Sequence, residues 1–169
     1  TDRVIETTVD VAKKHGKIVV ADVQKDMFRY KGVTAMTPNQ PDTEKFVGFF
    51  IKDEETLKQA GEKLLDSTNS DLMLVTRGGD GMAVFERGKE YSPIPVFNKT
   101  DVFDVTGAGD TVVATFTLGL AAGLSPKHAA IIGNLAASIV IRSFGCATTN
   151  IKELIKTADK INFEKFRGK

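Results

Sequence analysis

The segment "DVFDVTGAGDTVVATFTLGLAAG", Asp101 to Gly123, sets one carboxylate at the mouth of an apolar stretch, directly behind Gly107, Ala108 and Gly109. After Asp110 no further Asp or Glu occurs until Glu153. A helix start leaves backbone N–H groups without intrahelical partners, and its dipole favours negative charge. Glycines let such a backbone approach an anion closely. "TGAGD" at a helix start is therefore a candidate phosphate cradle. A carboxylate beside it can take a proton from an attacking hydroxyl while the donors hold the developing charge. Phosphoryl transfer to an alcohol requires that pairing. The plain alternative is a tight strand-to-helix turn with Asp110 as a cap, and the residues alone leave both open.

Other chemistries fit less well. A Walker loop needs GxxxxGK[ST], and no such lysine follows these glycines. A dinucleotide fingerprint needs a third small residue where Val112 stands, and an acid about 20 residues on, which the acid-free stretch does not supply. A Ser-His or Cys-His hydrolase is disfavoured, because the only histidines, His15 and His128, fall on helices in contexts that read as solvent-facing.

The elements that would position this loop follow from periodicity. Val4, Ile5, Thr8, Val9 and Ala12 predict a helix over 2–15, ended by Gly16. "KIVVAD" predicts a short buried strand ending at Asp22, and "GVTAMTPN" another that stops at Pro38. A helix is expected from about Asn39 to Gly48, and a second one capped by Asp53, with Leu57, Ala60, Leu64 and Leu65 on one face. "DLMLVT", "GMAVFE" and "EYSPIPVF" read as strands, the last two joined by a turn at Gly88. Two apolar helices follow, near 108–122 and 126–141, expected to pack as core helices against the sheet, then a helix starting near Asn150. Alternating helices and strands imply an α/β fold with a mostly parallel sheet, made mixed by the later hairpin. Ligands of such sheets gather beyond the carboxyl ends of the strands. Asp22, Asn39, Thr76 and the Gly107–Asp110 loop all fall there or at helix starts.

At 169 residues the chain fits one domain, with no internal repeat or long linker. It is 41% hydrophobic and 27% charged with a net charge of +1, a balance that points to neither a nucleic-acid nor a membrane partner. A single cysteine, Cys146, excludes an internal disulfide framework and a cysteine-cluster zinc site. A cytoplasmic, reducing setting is expected. The charged, amphipathic start is no signal peptide, and Thr1 in place of Met points to processing or a removed upstream segment. The apolar runs are too short to span a bilayer.

"DVTGAGD", Asp104 to Asp110, followed by "TVVATFTLGLAAG", resembles the C-terminal signature of the ribokinase-like (PfkB) sugar kinases. Agreement extends upstream through "TPNQPDTE" and "LVTRGGDGMAVF" and downstream through "NLAASIVIRSFGCAT", so it covers nearly the whole chain. Within that family "VFDVTGAGDTV" and "TPN" are most similar to the kinase part of bacterial heptose-phosphate kinase/ADP-heptose synthase proteins. The resemblance implies a three-layer α/β/α fold and ATP-dependent phosphorylation of a sugar or sugar phosphate, with heptose 7-phosphate as the acceptor suggested by the closer match. It makes Asp110 the catalytic base and the N–H groups of Gly107, Ala108 and Gly109 the anion hole. Asn39 and Asp42 match the Asn-x-x-Glu motif near the triphosphate and its Mg²⁺, with Asp in place of Glu, a shorter arm that would act through water. The plain alternative for Asn39 is a helix cap. Thr76, Gly78 and Gly81 match a nucleotide-binding loop, although such glycines alone read as a turn. Asn134 matches a position near the adenine, or is satisfied inside the helix pair. For a monovalent cation such as K⁺, Asp104 and Thr106 match one side of the family's site. Val140, Ser143, Gly145 and Thr149 match the other, mostly through carbonyls. Cys146 within that segment is expected to pack.

Members of the family are longer, and this chain matches the C-terminal portion of the kinase domain, residues 1–169 here. The N-terminal half and lid, which carry most acceptor contacts in the family, have no counterpart. The expected protein is thus the nucleotide and catalytic-base half of a sugar kinase. The other class it fits is a nucleotide- or anion-binding fragment without turnover. A sheet lacking neighbours exposes an edge and apolar surface, so a homo-oligomer is expected.

Overall fold

The computed structural model describes residues 1–97 and 102–161. In chain order the elements are α1 (Asp2–Lys14), β1 (Val20–Ala21), β2 (Ala35–Met36), α2 (Gln40–Val47), α3 (Glu54–Thr68), β3 (Leu72–Thr76), β4 (Met82–Glu86), β5 (Ser92–Ile94), α4 (Ala108–Ala121), α5 (Pro126–Val140) and α6 (Ile151–Ala158). Side-chain caps set several of these boundaries. The Asn39, Asp53, Ser125 and Asn150 side chains each accept a backbone N–H in the first turn of the helix that follows. At α3 the cap is reciprocal, the Thr56 side chain returning a bond to the Asp53 backbone.

The strands form one five-stranded sheet in the order β1-β2-β3-β4-β5. β1 and β2 are parallel, with Ala21 beside Met36, and β2 and β3 are parallel, with Met36 beside Met73. The connection from Thr76 to Met82 is too short for a crossover, so β4 runs antiparallel to β3. The Arg87 N–H bonding to the Asp71 carbonyl fits that register. β1 is shorter than the apolar run predicts because the Val19 N–H turns to the Thr34 hydroxyl rather than to a strand. β5 stops at Ile94, short of its apolar run, because Pro93 and Pro95 have no N–H for a ladder.

Two units make up the chain: Thr1–Arg77 with Ala83–Pro93, and Gly78–Met82 with Ile94–Lys169. The core of the first joins Val9, Met36, Leu57, Leu64, Met73 and Phe85 from α1, the sheet and α3. Gly61 lets α3 approach β4 closely, since a Cβ there would stand 2.2 Å from the Phe85 ring. In the second unit α4 and α5 pack face to face around the fully buried Phe116. Small residues set that spacing: a Cβ on Gly119 would meet the Ala129 Cβ at 2.9 Å, and one on Gly133 the Val112 carbonyl at 3.3 Å. Among the described residues no helix is long and apolar enough to cross a membrane.

Candidate functional site

The candidate residues fall into two groups. In the first unit the parallel register carries Asp22, Thr37, Asn39 and Thr76 to the carboxyl edge of β1–β3. The Thr37 hydroxyl donates to Asp22 Oδ1 at 3.0 Å. Asn39 and Thr76 form a parallel bridge, and the Thr76 N–H donates to the Pro38 carbonyl at 2.9 Å. Asn39 is the α2 cap, its Oδ1 accepting the Asp42 N–H at 2.8 Å. The plain reading of Asn39 is therefore realised, and its Nδ2 has no partner among the described residues. Asp42 stands in the first turn of α2, half-buried, and its carboxylate has no partner among the described residues.

The second group centres on the start of α4. Gly107 is its N-cap at φ 77°, a left-handed conformation that favours glycine, and Asp110 lies in the first turn. Asp110 does not cap the helix and bonds to nothing among the described residues, so the turn-and-cap alternative leaves it unexplained. The N–H groups of Gly107, Gly109 and Asp110 have no protein acceptor there either. The Ala108 N–H differs, turning to the Val105 carbonyl at 3.1 Å. A Cβ built on Gly109 meets no atom within 4 Å, so the space beside that glycine is open among the described residues.

Gly78 lies at φ 53° and Gly81 at φ 85°. A Cβ on Gly81 would stand 2.1 Å from the Ile94 carbonyl, so close backbone packing alone requires that glycine. Asn134 is buried, and its Nδ2 donates to the Pro95 carbonyl at 2.8 Å. Its amide is satisfied beside β5 and not within the helix pair, as the plain reading had it.

Asp104 ties two segments together. Its Oδ1 accepts the Thr106 N–H at 2.9 Å and its Oδ2 the Gly145 N–H at 2.8 Å. The Phe103 and Asp104 N–H groups add bonds to the Ile141 carbonyl. Hydrogen bonding from Thr106 first, and from the Gly145 N–H after it, holds the Asp104 carboxyl below the usual carboxylate range. The Val140 carbonyl accepts the Ser143 N–H, the Gly145 carbonyl accepts the Ala147 N–H, and the Thr149 hydroxyl donates to Glu153. Each carbonyl keeps a second lone pair, so an ionised carboxylate and several carbonyls offer the hard oxygen donors a cation such as K⁺ takes. Cys146 corrects an expectation: it is exposed, with its sulfur 2.9 Å from where a Gly107 Cβ would stand. Among the described residues no cluster of three or more Asp, Glu, His or Cys side chains forms. A lone Asp42 is still compatible with Mg²⁺, which is commonly held by one or two carboxylates plus substrate phosphates.

The residues that sequence reasoning passed over are Gln40, Glu44 and Arg77. Gln40 Oε1 accepts the Arg77 Nε–H at 3.0 Å, and its Nε2 donates to Glu44 Oε1 at 2.9 Å and to the Ile51 carbonyl. Spacing shows the Gln40–Glu44 pair, four apart on a helix. Nothing local shows Arg77.

The fold is that of the ribokinase-like α/β kinases. Arabidopsis thaliana ribokinase, solved with ribose and ATP, superposes with a TM-score of 0.84 at 24% identity, over 93% of this chain and 52% of that one. Escherichia coli phosphofructokinase-2, solved with potassium, superposes with a TM-score of 0.81 at 17% identity, over 95% and 52%. Residues 2–153 match the family described as "pfkB family carbohydrate kinase", and the chain belongs to that family. Proteins named "Bifunctional protein HldE" from Nitratiruptor sp. and Desulfatibacillum aliphaticivorans are each 41% identical, over 88% and 91% of this chain. The chain spans 32% of the length of each of these relatives and about half of the solved chains.

Proposed function

We propose that this chain carries the nucleotide-binding and catalytic-base portion of a kinase that transfers the γ-phosphoryl group of ATP to a hydroxyl of a sugar or sugar phosphate. The observation that carries the reading is Asp110, a carboxylate without a partner among the described residues, beside N–H groups at a helix start that have no acceptor among them either. Asp110 takes the proton of the acceptor hydroxyl as its oxygen bonds to the γ-phosphorus. The bond from that phosphorus to the bridging oxygen breaks, and ADP leaves with the electron pair. The N–H groups of Gly107 and Gly109 hold the charge on the transferring oxygens, and that of Ala108 joins them once it releases Val105. Asn39, Thr76 and Gly78 serve the triphosphate, and Asn134 supports the adenine side through Pro95. Asp42 would hold Mg²⁺ through water, and the ion supplies charge neutralisation of the phosphates. Asp104, Thr106, Val140, Ser143, Gly145 and Thr149 would hold K⁺, which orders the anion-hole loop without touching substrate. The resemblance of "VFDVTGAGDTV" and "TPN" to heptose-phosphate kinases favours a heptose phosphate as acceptor. Exposed Phe28, Phe50, Phe103 and Phe144 favour self-association.

A second reading, ATP or anion binding without turnover, draws on the Ala108 N–H being occupied by Val105. The experiment is calorimetric titration with ATP and Mg²⁺, followed by phosphorus NMR of bound ATP across a panel of sugars and sugar phosphates. Asp110-dependent breakdown of ATP, to sugar or to water, supports the kinase reading. Binding with no breakdown supports the second, and absence of binding overturns both.

A further inference from the structure

We propose that Gln40 is a positioning residue for the triphosphate-binding edge, acting through Arg77 and Glu44, an inference that rests on the kinase reading above. Gln40 directly follows Asn39, and Arg77 directly follows Thr76. The bond from Arg77 Nε–H to Gln40 Oε1 therefore joins the two segments at positions adjacent to two candidate phosphate donors. The backbone bond from Thr76 to Pro38 runs alongside it. Arg77 stands one residue past the end of β3, with its Nε–H committed to Gln40. It thus acts through the position it fixes.

The Gln40 amide can face only one way. Its Nε2 is committed to Glu44 Oε1 and the Ile51 carbonyl, and Glu44 Oε1 also accepts the Ile51 N–H at 3.0 Å. Turning the amide over would set its NH₂ against the Arg77 donor and its oxygen against the Glu44 carboxylate. Glu44 therefore orients Gln40, Gln40 orients Arg77, and the connector at Ile51 is anchored to the same carboxylate. A half-buried amide with both ends used by protein partners fits a brace better than a contact residue.

The test compares ATP affinity and melting temperature in Gln40→Leu, Arg77→Ala, the double variant and Gln40→Glu. Gln40→Leu should weaken ATP binding about tenfold, in the range set by removing a group that orients a binding residue, with the melting temperature nearly kept. The double variant should be no worse than either single one, because both cut the same link. Gln40→Glu keeps an oxygen for the Arg77 Nε–H but loses the N–H donors to Glu44 and the Ile51 carbonyl. At one fixed pH its ATP affinity should fall as that of Gln40→Leu does, because the bonds to Glu44 and Ile51 that orient the side chain are gone. Additive losses, or a loss in Arg77→Ala with none in Gln40→Leu, would overturn the proposal in favour of guanidinium charge alone. If Gln40→Leu fails to fold, ATP binding by Gln40→Glu decides, and an unchanged affinity overturns the proposal. No ATP binding by the unsubstituted protein removes the kinase reading and this inference together. Normal binding by both it and Gln40→Leu removes only this inference.

Discussion

Asp110 bonds to no described group, so Asp110→Asn breaks no bond among the described residues. It removes only the ability to accept a proton. ATP breakdown should fall by about 10²–10⁴-fold, the usual worth of a general base, with ATP affinity nearly kept, and near-normal turnover would end the assignment. The glycines beside it separate stability from activity. Gly109 has open space where a Cβ would go, and alanine favours a helix over glycine by roughly 0.5–1 kcal/mol. Gly109→Ala should keep or raise the melting temperature while cutting ATP turnover, because the methyl group enters the space an anion would take. Gly107→Ala should do the reverse in stability: its φ of 77° costs a side chain about 1–3 kcal/mol, and the Cys146 sulfur is in the way. Parallel effects of the two substitutions on melting and turnover would mean a purely structural turn. The helix start at Gly107–Asp110 was legible from types and spacing, because glycines precede an apolar run there. The Ala108–Val105 bond and the exposure of Cys146 were not, since both depend on how the loop folds back.

The helix starts were readable where a short polar side chain precedes a periodic run, as at Asn39, Asp53 and Asn150. Strand extents were not, because β1 and β5 end where a hydroxyl or a proline withdraws a backbone partner. The tie between the 103–106 and 141–145 segments was legible only through the family resemblance, its two sides lying far apart in sequence. It gives a pH dependence with a definite sign. A carboxyl whose pKa is lowered on folding contributes stability above its unfolded value near ~3.9, and that contribution is lost as pH falls through the folded value. The Thr106 and Gly145 amide resonances should therefore hold steady at neutral pH and shift together only below about pH 4. Asp104→Asn should abolish that joint shift and speed exchange of both amides at neutral pH. If K⁺ binds between these segments, it should slow the same exchange in the parent and not in Asp104→Asn. A joint titration that survives the substitution would show that Asp104 is not the tie.

Across the whole chain the candidate residues account for one substrate better than for the other. Asn39, Asp42, Thr76 and Gly78 are proposed to serve the nucleotide, Asn134 its adenine side, and Gly107–Asp110 the transferring phosphate and the proton. No described cluster is assigned to a sugar, and the chain spans about half of the ribokinase-like structures that share its fold. Holding an acceptor hydroxyl in line is worth roughly 7–11 kcal/mol of barrier, so a base and a phosphate cradle alone transfer to sugar too slowly to compete. Water needs no such site. The 169-residue chain should therefore bind ATP with Mg²⁺ weakly and release phosphate slowly, with Asp110→Asn suppressing the release and added sugars or sugar phosphates leaving its rate unchanged. Calorimetry gives the binding, and phosphorus NMR separates inorganic phosphate from sugar phosphate. Efficient labelling of any sugar by this chain would place an acceptor site within these residues, and the division of labour argued here would fall with it.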